Sequence, residues 1–271
     1  MLMDGKELAR DIKAKIKAEI DDIKRIYNVN PTVASILVGE DPASQVYLNS
    51  QIKSYQDLGI GVQKYFFSKE ISEAYLLNLI DKLNKDTEVD GIMINLPLPP
   101  QISATKVLNR IKLIKDVDGF KAENLGLLFQ NNEDFISPST PAGIMALIEG
   151  YKIDLQGKDV VVIGRSNIVG KPVAALVLNS HGTVTICNSH TKNLKEKTKT
   201  ADVLISAVGK PKFITADMVK EGAVVIDVGI NRVNGKLEGD VDFENVQKKT
   251  SYITPVPGGV GALTVAMLLS N

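Results

Sequence analysis

The sequence holds one cysteine, Cys187, and only two histidines, His181 and His190, among its 271 residues. A single thiol excludes an intrachain disulfide, and three such residues are too few for the usual zinc-binding patterns. We therefore expect no metal and a reducing compartment. A charge excess is also missing, because 32 basic residues cancel 32 acidic ones. That balance removes the global electrostatic case for nucleic acid or an anionic membrane. No uncharged apolar run approaches the ~20 residues that a membrane span needs. Asp4, Lys6 and Glu7 interrupt the start before a signal-peptide core can form. What is present is ordinary for a globular chain: 44% hydrophobic and 24% charged residues. The expectation is a soluble cytoplasmic protein of two domains, or of one large one.

Periodicity supplies the architecture. Leu8, Ile12, Ile16, Ile20, Ile23 and Ile26 recur at helical spacing. Residues 32–39 then form a short apolar run ending in glycine, which suits a buried strand. Helix is expected over 43–58 and 72–85, with strands at 64–68 and 91–96. The pattern restarts with a strand at 159–164, a helix at 170–180 and a strand at 183–187. Further strands are read at 201–208 and 223–228, separated by a short helix at 215–221. Asn234-Gly235 marks a hairpin turn, since both residues tolerate positive φ. A last helix is read over 260–269. Strands alternating with helices of this length imply an α/β fold with parallel sheets covered on both faces. The domain boundary falls near 137–141, where Thr140 can cap a helix that begins at Pro141.

One local feature carries chemistry. The segment 160–172 has a strand, a glycine turn at Gly164 and a helix opening at Gly170. Backbone amides and a helix N-terminus in that layout hold a dinucleotide pyrophosphate. The turn departs from G-x-G-x-x-G, with Ser166 at the second glycine position, and a plain tight turn is the alternative reading. No Asp or Glu follows the next strand, where an NAD site usually binds its ribose hydroxyl. Asn188, Ser189, His190 and Thr191 stand there instead. Arg165 sits in the phosphate turn, where a guanidinium can pair with an extra phosphate. The combination favours NADP over NAD, with a surface arginine and an ordinary polar loop as the other reading.

Six segments in order extend the reading over nearly the whole chain: 41–47 (DPASQVY), 91–99 (GIMINLPLP), 116–120 (DVDGF), 164–166 (GRS), 239–243 (GDVDF) and 255–261 (PVPGGVG). With them the sequence resembles the bifunctional methylenetetrahydrofolate dehydrogenase/methenyltetrahydrofolate cyclohydrolases. That resemblance implies a folate-binding catalytic domain, 1–137 with 255–271, and a Rossmann-like NADP domain, 138–254. It implies a last helix packed back on the first domain, and a homodimer. It assigns Tyr47 to the folate cleft, Asp118 to the pterin, and Pro257, Gly258 and Gly261 to a loop over the substrate. Gly164, Arg165, Ser166, Ser189 and Ile230 match the cofactor contacts.

Two positions depart from the family pattern. Gln51 stands where the family has a lysine one helical turn after the tyrosine, and Asn95 where it has a glutamine. In the family these side chains serve the cyclohydrolase step, in which water adds to the methenyl carbon and a proton moves. An amide cannot titrate at working pH. Lys53 lies ~200° round a helix from Gln51 and is no substitute. Hydride transfer needs no side-chain base, because alignment of the reactants can supply ~7–11 kcal/mol of its barrier. The expectation is thus a working dehydrogenase with weak or absent cyclohydrolase activity. Smaller departures are Ser139 for cysteine, Asn188 for histidine and Ala262 for proline. Two other readings stay open: a non-catalytic dinucleotide-binding or sensing protein, and a dehydrogenase of another small acid, such as a shikimate-dehydrogenase-like enzyme.

Overall fold

The computed structural model describes residues 1–39 and 42–271, except for the side chains of 42–44, 46 and 47. The expected folate-cleft residue Tyr47 therefore lies outside the described side chains. The chain divides into two compact units, one of residues 12–126, 134–136 and 268–271, the other of 1–11, 127–133 and 137–267.

The first unit takes most of helix α1 (Gly5–Tyr27), then β1 (Thr32–Val38), α2 (Pro42–Asp57), β2 (Gly61–Phe67), α3 (Glu73–Lys85), β3 (Gly91–Ile94), α4 (Ala104–Arg110) and the start of α5 (Ala122–Phe129). Its three strands are parallel in the order β2-β1-β3. Residues of β1 alternate between the two faces of the sheet. Ala34, Ile36 and Val38 join Ile92 and Ile94 against Leu76, Ile80 and Leu83 of α3 and Val107 of α4. The opposite face presents Val33, Ser35 and Leu37, with Met93 in register beside Ser35. Tyr55 of α2 reaches that Met93, its hydroxyl 3.9 Å from the sulfur.

The helix ends follow their caps. Ser72 opens α3 by accepting from the Tyr75 N–H at 3.2 Å, and Ser103 does the same for Lys106 at the start of α4. Asn28 ends α1 at φ 54°, the left-handed conformation favoured just past a helix. The apolar stripe of α1 outruns its core: Ile16 and Ile20 are buried, whereas Ile26 is 59% exposed.

The second unit contains α6 (Ser139–Gly150), β4 (Asp159–Ile163), α7 (Gly170–Asn179), β5 (Thr183–Cys187), α8 (Leu194–Thr198), β6 (Val203–Ser206), β7 (Val224–Asp227), β8 (Asn231–Val233), β9 (Lys236–Glu238), α9 (Phe243–Val246), β10 (Tyr252–Ile253) and most of α10 (Val260–Ser270). Its five-stranded sheet is parallel in the order β10-β7-β6-β4-β5. Strands β6 and β7 are buried at every residue, the pattern of a sheet covered on both faces. The first strand of this sheet, β4, has the second and third on either side, which makes its carboxyl end the switch point where such sheets bind ligands. β8 and β9 form the expected hairpin, with Asn234 at φ 49° and Gly235 at φ 78°.

Two local expectations change. Residues 215–221 hold only a 3₁₀ turn at Ala216–Met218, because Gly222 takes φ 76° directly after so short an apolar stretch. Helix α6 starts at Ser139, so Thr140 is not its cap; the Thr140 hydroxyl instead meets that of Thr264 at 3.0 Å. The start of α1 and residues 255–267 group with the second unit. Met3 donates to Ile253 O at 2.8 Å and Gly5 to Gly258 O at 2.9 Å. Among the described residues no helix is long and apolar enough to cross a membrane, and no cluster of three His, Cys, Asp or Glu is placed to hold a metal ion.

Candidate active site

In the first unit two of the expected site residues, Asn95 and Asp118, lie by the end of β3. Asn95, just past that strand, donates to Ile36 O through both its backbone N–H (2.9 Å) and its side-chain amide (3.1 Å). The shorter side chain is thus tied to the neighbouring strand. Gln51 is 95% buried, and its Oε1 has no hydrogen-bond partner among the described residues. The buried Ser35 hydroxyl on β1 is likewise unpartnered. Such orphans typically cost ~1–3 kcal/mol each unless a water or ligand satisfies them. The sequence offers no signal for Ser35, since a serine inside an apolar strand looks like a filler.

Asp118 is held by the segment that runs alongside β3. Asp116 bridges to Ile92, and Val117 packs so close that a Cβ on Gly91 would lie 2.4 Å from its Cγ1. Asp116 is buried and accepts from Phe120 N, Lys121 N and Asn124 Nδ2, at 3.3, 2.8 and 2.7 Å. Asp118 keeps part of its surface exposed, yet its carboxyl is packed round by protein. Burial, then the nearby Asp116 charge, pushes its pKa up to about 7, against a backbone hydrogen bond from Ile94. A carboxyl whose pKa is raised toward 7 by burial beside a second carboxyl is a functional-site signature.

In the second unit the glycine turn is tightly built. Gly164 takes φ 132°, and a Cβ there would lie 2.5 Å from Ala207 O. A Cβ on Gly170 would lie 2.2 Å from Gly164 O, so the α7 N-terminus abuts the turn. Ser166 Oγ accepts from Val169 N at 3.1 Å and Gly170 N at 3.4 Å, doing for this loop what a capping side chain does. Arg165 and Ser189 are exposed. Asn188, where the family often has histidine, serves a local turn: its Oδ1 accepts from His190 N at 2.9 Å, and its own N–H meets Thr191 Oγ1 at 2.8 Å. Ile230 is 61% exposed in the loop between β7 and β8, and its Cδ1 would lie 3.6 Å from a Cβ on Gly261. The loop ahead of α10 carries a cis bond before Pro257 and a left-handed Gly258 at φ 113°.

The structure thus groups Gln51, Asn95 and Asp118 in the first unit, and the cofactor and loop residues in the second. These glycines leave no room for side chains at the switch point, and exposed Arg165 and Ser189 suit a phosphorylated ligand, so the residues present fit a dinucleotide.

A parallel sheet with a glycine turn at its switch point defines an α/β dinucleotide-binding domain, here in one chain with a second α/β unit. Residues 3–118 match the family model of the tetrahydrofolate dehydrogenase/cyclohydrolase catalytic domain, and residues 138–271 that family's NAD(P)-binding domain. The chain belongs to the tetrahydrofolate dehydrogenase/cyclohydrolase family. It is 88% identical to "Bifunctional protein FolD" of Fusobacterium nucleatum over all of this chain and 96% of that one. The crystal structure of the bifunctional FolD enzyme of Campylobacter jejuni is similar at TM-score 0.98 and 48% identity, covering 100% and 96% of the two chains. The Trypanosoma brucei dehydrogenase-cyclohydrolase, solved with NADP cofactor and inhibitor, is similar at TM-score 0.95 and 33% identity, covering 100% and 95%. The expectation of a weak or absent cyclohydrolase is not borne out, since a relative at 88% identity is named as bifunctional. The sensing-protein and other-acid readings give way to the family.

Proposed function

We propose that this protein oxidises 5,10-methylenetetrahydrofolate with NADP+ and hydrolyses the methenyl product by addition of water to its bridging carbon. The observation that carries the reading is the ordered match of both halves of the chain to the two domains of one family. When bound, the nicotinamide supplies the hydride acceptor. The α7 N-terminus and the Gly164 turn hold its pyrophosphate, and Arg165, Ser166 and Ser189 hold the extra phosphate. Ile230 gives the ring an apolar wall.

Asp118 accepts hydrogen bonds from the N–H and amino edge of the pterin, contacts that favour its charged form against the burial that opposes it. Tyr47, Pro257, Gly258 and Gly261 are assigned as further substrate-contact residues. Gln51 and Asn95 act as neutral hydrogen-bonding groups. The unpartnered Gln51 Oε1 is an acceptor for water or substrate, but it cannot take the water's proton.

We assign the folate-binding domain to 1–137 and 255–271 and the cofactor domain to 138–254. A cytoplasmic homodimer completes the reading. The buried free thiol of Cys187 suits a reducing compartment. β5 is an edge strand with Thr183, Thr185 and Ile186 exposed, beside exposed Leu178, which suits pairing with a second copy.

Absorbance of the reduced cofactor, followed with NADP+ and then NAD+, tests the first step. Hydrolysis of methenyltetrahydrofolate above its spontaneous rate tests the second. A folded protein that reduces neither cofactor overturns the reading.

A further inference from the structure

Two buried carboxylates in the second unit are used by none of the chemistry above. Asp240, fully buried, accepts five hydrogen bonds. Its Oδ2 receives Val208 N (2.7 Å), Gly209 N (3.2 Å) and the Ser206 hydroxyl (3.3 Å), and its Oδ1 receives Lys210 N (2.9 Å) and Asn231 Nδ2 (3.1 Å). Asp227, the last residue of β7, accepts from Gly229 N and Asp240 N on one oxygen and Val241 N on the other, each at 2.9 Å. Neither forms an ion pair among the described residues.

The surroundings are shaped for these two groups. A Cβ on Gly229 would lie 2.2 Å from Asp240 Oδ1, and one on Gly239 1.9 Å from Asp227 Oδ2. Burying a carboxylate is costly unless its oxygens are fully hydrogen-bonded. The donors to Asp240 come from Ser206 at the end of β6, from the loop after it, and from Asn231 at the start of β8. The β6 loop is also the one whose Ala207 O closes on Gly164 across the switch point.

We propose that Asp240, seated by Asp227, is a positioning residue for cofactor binding, fixing the 206–210 and 228–231 loops at the separation a dinucleotide needs. This rests on the NADP reading. Cation-free anchoring suits the task, because backbone N–H groups are fixed points whereas a lysine or arginine partner is long and mobile. Asp240→Asn should undo it. Whichever way the new amide turns, its NH2 faces either the Val208 and Gly209 amides or the Lys210 amide, donor against donor.

The test uses the full chain. Calorimetric titration with NADP+ should show Asp240→Asn at least tenfold weaker than wild type, measured well below the melting temperature. Hydrogen exchange of the Val208, Gly209 and Lys210 amides in the cofactor-free protein should quicken at least tenfold, and the KM for the folate should stay within about twofold. Asp242→Asn, on the half-exposed residue two positions on, should match wild type. If Asp240→Asn does not fold, the Ser206→Ala/Asn231→Ala double variant decides, with weakening of three- to tenfold expected. Unchanged NADP+ affinity in a folded variant, or an equal loss of folate, overturns the positioning role. Wild-type protein that binds no NADP+ overturns the NADP reading instead, and the role with it.

Discussion

Asp116 and Asp118 are two residues apart, yet their carboxyls occupy opposite settings: Asp116 accepts three hydrogen bonds, while Asp118 is pushed up to about 7 by burial and by its neighbour's charge. A carboxyl raised in the folded state stabilises the fold below its unfolded pKa of ~3.9, and that contribution is lost as pH rises toward 7. Asp118→Asn removes the dependence. We predict a gain on the order of 2 kcal/mol for the variant at pH 8 over wild type, shrinking toward zero at pH 4, read by denaturant unfolding at both pH values. The same variant should raise the folate KM at least tenfold, because an amide cannot accept from both donors of the pterin edge.

Arg165 is exposed in the Gly164 turn, and residues 188–191 directly after β5 hold no acidic side chain. A charge-assisted pair with phosphate contributes about 1.5–3 kcal/mol, so Arg165→Ala should raise the KM for NADP+ by roughly 10- to 100-fold. The KM for NAD+ should stay within about twofold. An equal rise for both cofactors would place the guanidinium at the shared pyrophosphate.

Gln51 is buried with an oxygen unpartnered among the described residues, and an amide does not titrate in the working range. Gln51→Lys brings an amine into a desolvated site, where its pKa falls. We predict a new ionisation in the pH–rate profile of methenyltetrahydrofolate hydrolysis, with hydride transfer changed by less than about threefold. An unaltered hydrolysis profile would show that residue 51 does not meet the reacting carbon.

Cys187 is fully buried, and burial pushes its thiol pKa up. Native protein should therefore react with a thiol reagent at least a hundredfold more slowly than unfolded protein, which should titrate one thiol per chain. Fast reaction of the native thiol would contradict the packing at the end of β5.

Both sheets were legible in the sequence because buried parallel strands are short apolar runs punctuated by glycine, as at residues 91–96 and 159–164. The Asn234-Gly235 hairpin and the Gly164 turn were readable for the same reason: a positive φ needs a residue that tolerates it. Thr140 misled because a hydroxyl before proline looks like a cap, and only tertiary packing hands it to Thr264. The isoleucines of α1 overstated its buried face because periodicity cannot tell where a core ends. Asp240 lies in the 239–243 segment, but its role is invisible there. Its five donors lie 9 to 34 positions away, and local spacing carries no trace of them.

The most direct test is transfer of label. Methylenetetrahydrofolate carrying deuterium on its bridging carbon is mixed with the protein and NADP+, and the reduced cofactor is weighed by mass spectrometry. One deuteron per reduced nicotinamide is the predicted result; a reduced cofactor without the label, or none at all, would contradict direct hydride passage from folate to NADP+.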